Sequence, residues 1–255
     1  MSDGVEARLR TPIGQRADCA ELLQSGWGTL SISELARRPL YLEQDGAAAF
    51  GDLFELTGEP TGRIRFTGNL RQMDRLGASL SEGVVIVENN IGDEAGLGMS
   101  GGVLDIHGDA GIRTGAAAPG SKRGMLGGEL IVRGSVAAEA GSFMRRGTLV
   151  IAGDAGERTG LGMIAGNVVI VGSAGASTGL WSKRGSVVAL GKITPPATYS
   201  YACTYQPIHL RLLLGRLRTE YDLPIHRRHI TGLFHRFSGD FAELGKGEIL
   251  QWTSK

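Results

Sequence analysis

The feature that most constrains this chain is a sentence that repeats between Gly83 and Gly191. Gly83-Val-Val-Ile-Val, Gly102-Val-Leu-Asp-Ile, Gly128-Glu-Leu-Ile-Val, Gly147-Thr-Leu-Val-Ile, Gly166-Asn-Val-Val-Ile and Gly185-Ser-Val-Val-Ala open alike, at intervals of 19, 26, 19, 19 and 19 residues. A fixed period of this order marks a stacked repeat array. Within each block, aliphatic residues alternate. One column holds Val85, Leu104, Leu130, Leu149, Val168 and Val187; the next inward column holds Val87, Ile106, Val132, Ile151, Ile170 and Ala189. Alternation with period two is a strand with one buried face. Glycine follows in five of the six blocks (Gly108, Gly134, Gly153, Gly172, Gly191), with Asn89 in the remaining one, and these residues tolerate the backbone of a sharp turn. A methionine recurs just before the next block, at Met99, Met125, Met144 and Met163, and Ser182 closes that column.

A unit of 19 residues has no room for a helix beside such a strand. It suits three short strands joined by tight turns, which predicts an all-β parallel β-helix in which each strand pairs with its copies above and below. Proline usage agrees. Residues 62–191 hold 29 of the 41 glycines but only Pro119, and that proline falls in the longer block; a strand paired on both sides needs its N–H. A β-sandwich is the alternative, but sandwiches do not repeat in sequence.

The expected organisation is an N-terminal cap over 1–61, the β-helix over 62–191, and a C-terminal cap and docking arm over 192–255. Gly62-Arg-Ile-Arg-Phe fits the template as an atypical first unit. In the cap, Cys19 to Leu23 and Ser33 to Arg37 read as single helical turns, with Ser33 as N-cap. Beyond Gly191, Pro207 opens a helix to about Glu220, with Leu210, Leu213, Leu214 and Leu217 on one face.

Net charge is +1, so no global field draws nucleic acid or anionic membrane. The two cysteines, Cys19 and Cys203, are far apart, which fits a reduced, cytoplasmic protein. No apolar run has the length to span a bilayer, and the N-terminus is not a signal peptide. His226, His229 and His235 have loose metal-ligand spacing but no acidic or cysteine company. Asp93, Asp109 and Asp154 lie near turns without a calcium repeat, and the glycines form no phosphate loop. No triad is assembled. One surface feature stands out: Lys122-Arg123, Arg145-Arg146 and Lys183-Arg184 fall at or near block starts. Stacking brings these pairs to one corner, a candidate interface for carboxylates.

The repeat Gly-x-x-h-x-x-Gly-x-x-Gly-x-x-x-Gly with its methionine resembles the C-subunit family of formylmethanofuran dehydrogenase. It also resembles the related C-terminal β-helix domain of glutamate synthase. The tail, Arg236-Phe-Ser-Gly-Asp-Phe-Ala-Glu-Leu-Gly-Lys-Gly-Glu-Ile-Leu250, is similar to the ending of the C-subunit family. The Arg- and Ala-rich composition points to its bacterial branch, found in the formyltransferase/hydrolase complex. That resemblance implies a right-handed β-helix and a scaffold role. The family complex moves formyl from formyl-tetrahydromethanopterin to methylofuran and releases formate. Its chemistry belongs to an amidohydrolase-like A subunit and a formyltransferase D subunit, with a B subunit alongside. No catalytic, cofactor-binding or metal-binding residue is carried over to this chain. Two other classes remain: a stand-alone β-helix enzyme of acyltransferase or lyase type, and a glutamate-synthase-like structural domain. An acyltransferase of hexapeptide type needs an 18-residue coil, which the 19-residue period breaks.

Overall fold

In the computed structural model, residues 4–254 are described. The chain opens with β1 (Val5–Leu9), β2 (Ala17–Asp18), α1 (Ile32–Ala36), β3 (Pro39–Leu42), β4 (Gly46–Ala49), α2 (Phe50–Leu53) and β5 (Phe54–Gly58). The repeats follow as β6 (Arg63–Thr67), the short β7 (Met73–Asp74), β8 (Val84–Val87), β9 (Val103–Ile106), β10 (Leu126–Val132), β11 (Arg146–Ile151), β12 (Asn167–Ile170) and β13 (Arg184–Ala189). The chain then runs through β14 (Ser200–Tyr205), α3 (Ile208–Tyr221), α4 (Arg227–Ile230), β15 (Leu233–Gly239) and β16 (Lys246–Thr253).

The expectation of a right-handed parallel β-helix with three strands per coil is corrected. The described residues form one large mixed sheet of 12 strands, in the order β14-β15-β16-β13-β12-β11-β10-β9-β8-β6-β1-β5, and a small sheet of four strands in the order β4-β3-β2-β7. Each repeat unit gives the large sheet one strand. The run from β1 to β16 is parallel, but β5, β15 and β14 join antiparallel at the two ends. Apart from β7 in the first unit, which pairs with β2, the rest of each unit is turn and contributes isolated bridges such as Ala110 to Val136 and Ala155 to Ala174. The physical reason lies in the backbone. Arg75, Glu94, Arg113, Glu139, Arg158 and Ser177, one per unit, all have φ between 57° and 64°. A left-handed residue breaks an extended segment, so two further long strands per unit cannot form.

These turns still stack. The Arg75 N–H donates to Asp93 O at 2.8 Å, Glu94 to Ile112 at 2.8 Å, and Arg158 to Ala176 at 2.8 Å. Side chains reinforce the stack: Asp93 Oδ1 accepts from Ile112 N at 3.0 Å, Asp109 Oδ1 from Ser135 N at 2.8 Å, and Asp154 Oδ1 from Ser173 N at 2.7 Å. The three aspartates singled out near turns are therefore rungs between units.

The main core lies on the inner face of the sheet, against those turns. Val85, Leu104, Leu130, Leu149, Val168 and Val187 share one register row. Val87, Ile106, Val132, Ile151, Ile170 and Ala189 share the next. Both rows are buried, as are Met99, Met125, Met144 and Met163. At the first end, the rings of Phe50, Phe54 and Phe66 pack with centroids 4.8–5.8 Å apart. The outer face carries a second core: Leu210, Leu214 and Leu217 of α3 cover Ile131, Val150, Val169 and Val188. Two polar clamps hold the helix there. Arg133 donates to Asp105 Oδ1 at 3.0 Å and Oδ2 at 2.9 Å, and to the carbonyl of Tyr221 at 2.8 Å. Glu129 accepts from Arg216 and from the Tyr221 hydroxyl. No helix among the described residues is long and apolar enough to cross a membrane.

Candidate functional site: a basic rim at the strand starts

Each repeat strand is entered through a glycine with positive φ, such as Gly147 at 90° and Gly185 at 93°. The residue just before it therefore stands at the rim of the sheet. In-register pairing makes that rim continuous: Leu126 lies beside Arg146, and Arg184 beside Lys246. Leu126, Arg145, Arg146, Ile164, Ala165 and Arg184 line a groove of about 440 Å³.

The structure thus brings Arg145, Arg146 and Arg184 together. Arg145 Nε also donates to the carbonyl of Lys122 at 3.4 Å, which places the longer block beside the groove. Lys183 turns away, 3.7 Å from Glu243. Arg123 is exposed and its backbone N–H donates to Ser121 Oγ at 3.0 Å, outside the groove lining. Arg145, Arg146, Arg184 and Lys246 form no ion pair among the described residues. Three guanidinium groups sharing one groove, each with free planar donors, suit carboxylates bound in bidentate fashion.

An apolar lip is exposed on the loops that lead into β13 and β16. Trp181, Phe241 and Leu244 are 51%, 61% and 55% exposed. They sit on two loops tied by Asp240, whose buried carboxylate accepts from the N–H of Trp181 at 2.8 Å and of Ala242 at 2.8 Å. Aromatic residues and arginine are the types enriched in protein interface cores.

Sequence reasoning missed Lys246 and the lip. A signal for the first existed. Lys246-Gly247-Glu-Ile249 matches Arg184-Gly185-Ser-Val187, and β16 takes the next place in the parallel stack, with Gly247 opposite Gly185 and Ile249 opposite Val187. An intervening stretch that holds α3, α4 and two antiparallel strands hides the period. The lip had no signal, because its two loops meet through contacts far apart in the chain, Trp181 with Asp240 and Lys183 with Glu243.

The histidines do other work. His229 Nδ1 accepts from the His226 N–H at 3.3 Å, and its ring packs on Trp252 with centroids 4.9 Å apart. Burial first, then the charges of Arg228 and His226, push its pKa down from the usual 6.5 to about 4. His235 Nδ1 lies 2.6 Å from Thr204 Oγ1. No group of three or more metal-ligating side chains occurs among the described residues. Cys19 is buried and Cys203 exposed, both free.

No family model matches the chain, and no curated protein sequence does. Among solved structures, it is similar to a chain in the crystal structure of the formyltransferase/hydrolase complex (FhcABCD) from Methylorubrum extorquens with methylofuran. The two are 28% identical with a TM-score of 0.81, over 96% of this chain and 98% of that one.

Proposed function

We propose that this chain is the framework member, of the C-subunit type, of a cytoplasmic formyltransferase/hydrolase complex. In this reading the complex moves a formyl group from formyl-tetrahydromethanopterin to methylofuran and releases formate. The chemistry belongs to the amidohydrolase-like A and the formyltransferase D subunits, with a B subunit alongside, and the complex rather than this chain handles both coenzymes. This chain holds those subunits in place, and its arginine rim receives carboxylates that a neighbouring subunit presents. The observation that carries the reading is likeness along nearly the full length of both chains, at a TM-score of 0.81. The unpaired rim of Arg145, Arg146 and Arg184 supports the partner-facing part.

The test is purification of the tagged full chain from its native host. Co-elution of formyl transfer and formate release with the chain is expected. The double variant Arg146→Glu/Arg184→Glu should melt like the parent yet lose assembly by at least about tenfold, as for central interface residues. A chain that elutes alone overturns the reading. Charge reversal that leaves assembly and activity intact removes the rim from it.

A further inference from the structure

The helix α3 is apolar on two opposite sides, and only one of them is covered. Leu210, Leu214 and Leu217 are buried against the sheet. On the far side, Ile208 and Leu212 are each 75% exposed. With Gly215 and Thr219 they recur at spacings of 4, 3 and 4 residues, which is the seam of a helix that packs along another helix. Gly215 lies on that seam with no atom within 4 Å of where a side chain would begin, so a second backbone can approach closely there.

The flanks of the seam select the partner. Arg211 and Arg218, seven residues apart on one side, have no ion-pair partner among the described residues, and His209 is exposed on the other. Flanking charges choose the partner of a helical seam through attraction to opposite charge and repulsion of like charge. A second copy of α3 would set arginine against arginine. We infer that the exposed seam of α3 docks an amphipathic helix of another subunit, apolar at Ile208 and Leu212 and acidic where it faces Arg211 and Arg218. This rests on the reading of the chain as a framework subunit, and it gives that framework a second contact surface apart from the rim.

The experiment places p-benzoylphenylalanine at position 212 of the tagged full chain, followed by irradiation of the purified assembly and mapping of the cross-linked peptide. The expected product joins position 212 to a segment of a co-purifying subunit with apolar residues three and four apart and carboxylates beside them. Arg211→Glu/Arg218→Glu should reduce that product at least about tenfold, with the melting temperature unchanged. An intact assembly with no cross-link, or with one to a second copy or a basic segment, overturns this inference and leaves the framework reading standing. A chain that purifies alone overturns both.

Discussion

Replacing Asp240 tests how the turn stack ends. Along the stack, one N–H per unit is met by a carbonyl of the next: Ser79 by Leu97 at 2.8 Å, Gly98 by Ala116 at 2.9 Å, Ala117 by Ser142 at 3.1 Å, Phe143 by Leu161 at 2.8 Å, and Gly162 by Leu180 at 2.8 Å. Trp181 is last in this series, and the Asp240 carboxylate takes the place of the missing carbonyl at 2.8 Å. Its other oxygen accepts from Ala242 N at 2.8 Å, and the residue is 0% exposed. Asp240→Ala therefore removes the acceptor of two N–H groups on exposed residues, and at a net value of about 0.5–1.5 kcal/mol per hydrogen bond the loss is about 1–3 kcal/mol. Asp240→Asn keeps one acceptor oxygen and should lose about half as much. For a chain of this size each kcal/mol moves the melting temperature by about 2–4 °C. Urea unfolding and thermal melts give the totals; amide exchange at Trp181 and Ala242 shows whether the loss sits at the end of the stack. An alanine variant within about 0.5 kcal/mol of the parent, or an asparagine variant as damaged as the alanine one, would refute the capping argument.

Ile151, 0% exposed between Val132 and Ile170, gives the complementary core test. Ile151→Asp should abolish cooperative unfolding and assembly, because an unpaired buried charge is not tolerated, whereas Ile151→Val should cost only about 0.5–1.5 kcal/mol. Glu129 gives a pH test. Burial disfavours its charged form, but the hydrogen bonds from Arg216 and Tyr221 and the charge of Arg216 outweigh this and hold its pKa below the usual 4.5. Its contribution is complete above that value and lost as pH falls through the lower folded value, so Glu129→Gln should flatten stability against pH below 4.5, measured by urea midpoints. His229 acts in a higher window. It is neutral in the fold, so the unfolded chain takes up its proton first; stability is complete above pH 6.5 and falls toward pH 4. His229→Gln should remove that slope in melts taken between those two pH values.

The strand rows are legible in the sequence because two independent regularities coincide there: alternation along each strand and a fixed step between strands. Two other features were hidden for physical reasons. The left-handed positions that limit each unit to one strand are occupied by Arg, Glu and Ser, and none of these types announces positive φ as glycine does. The antiparallel ends depend on contacts far apart in the chain, such as Leu233 with Thr253. The cap of α1 is Ser31, whose hydroxyl accepts from Glu34 N at 3.3 Å, and not Ser33. The sequence Ser31-x-x-Glu34 is a capping box, a stronger signal than a lone serine two residues on. At the rim, the arginine pairs were visible as a recurrence, but which member faces the groove was not. That is decided by Glu243 drawing Lys183 away and by β16 setting Lys246 beside Arg184.

The molecule also contains its own control for reading the rim as a contact surface. Along the left-handed column of the turn stack, signs alternate: Arg75, Glu94, Arg113, Glu139, Arg158. There arginines meet acids: Arg113 lies 3.2 Å from Glu94, Arg158 lies 3.2 Å from Glu139, and Arg75 pairs with Asp18. The same 19-residue stacking brings Arg146 and Arg184 to one groove without an acid between them. Like charges held close repel unless counter-ions or a ligand intervene, and the fold has a ready means of neutralising such a column, since it does so on another corner. Leaving the rim unpaired sets its positive charge against folding stability. Under the function proposed above, carboxylates of a neighbouring subunit supply that neutralisation from outside, which gives the unpaired rim a compensating gain.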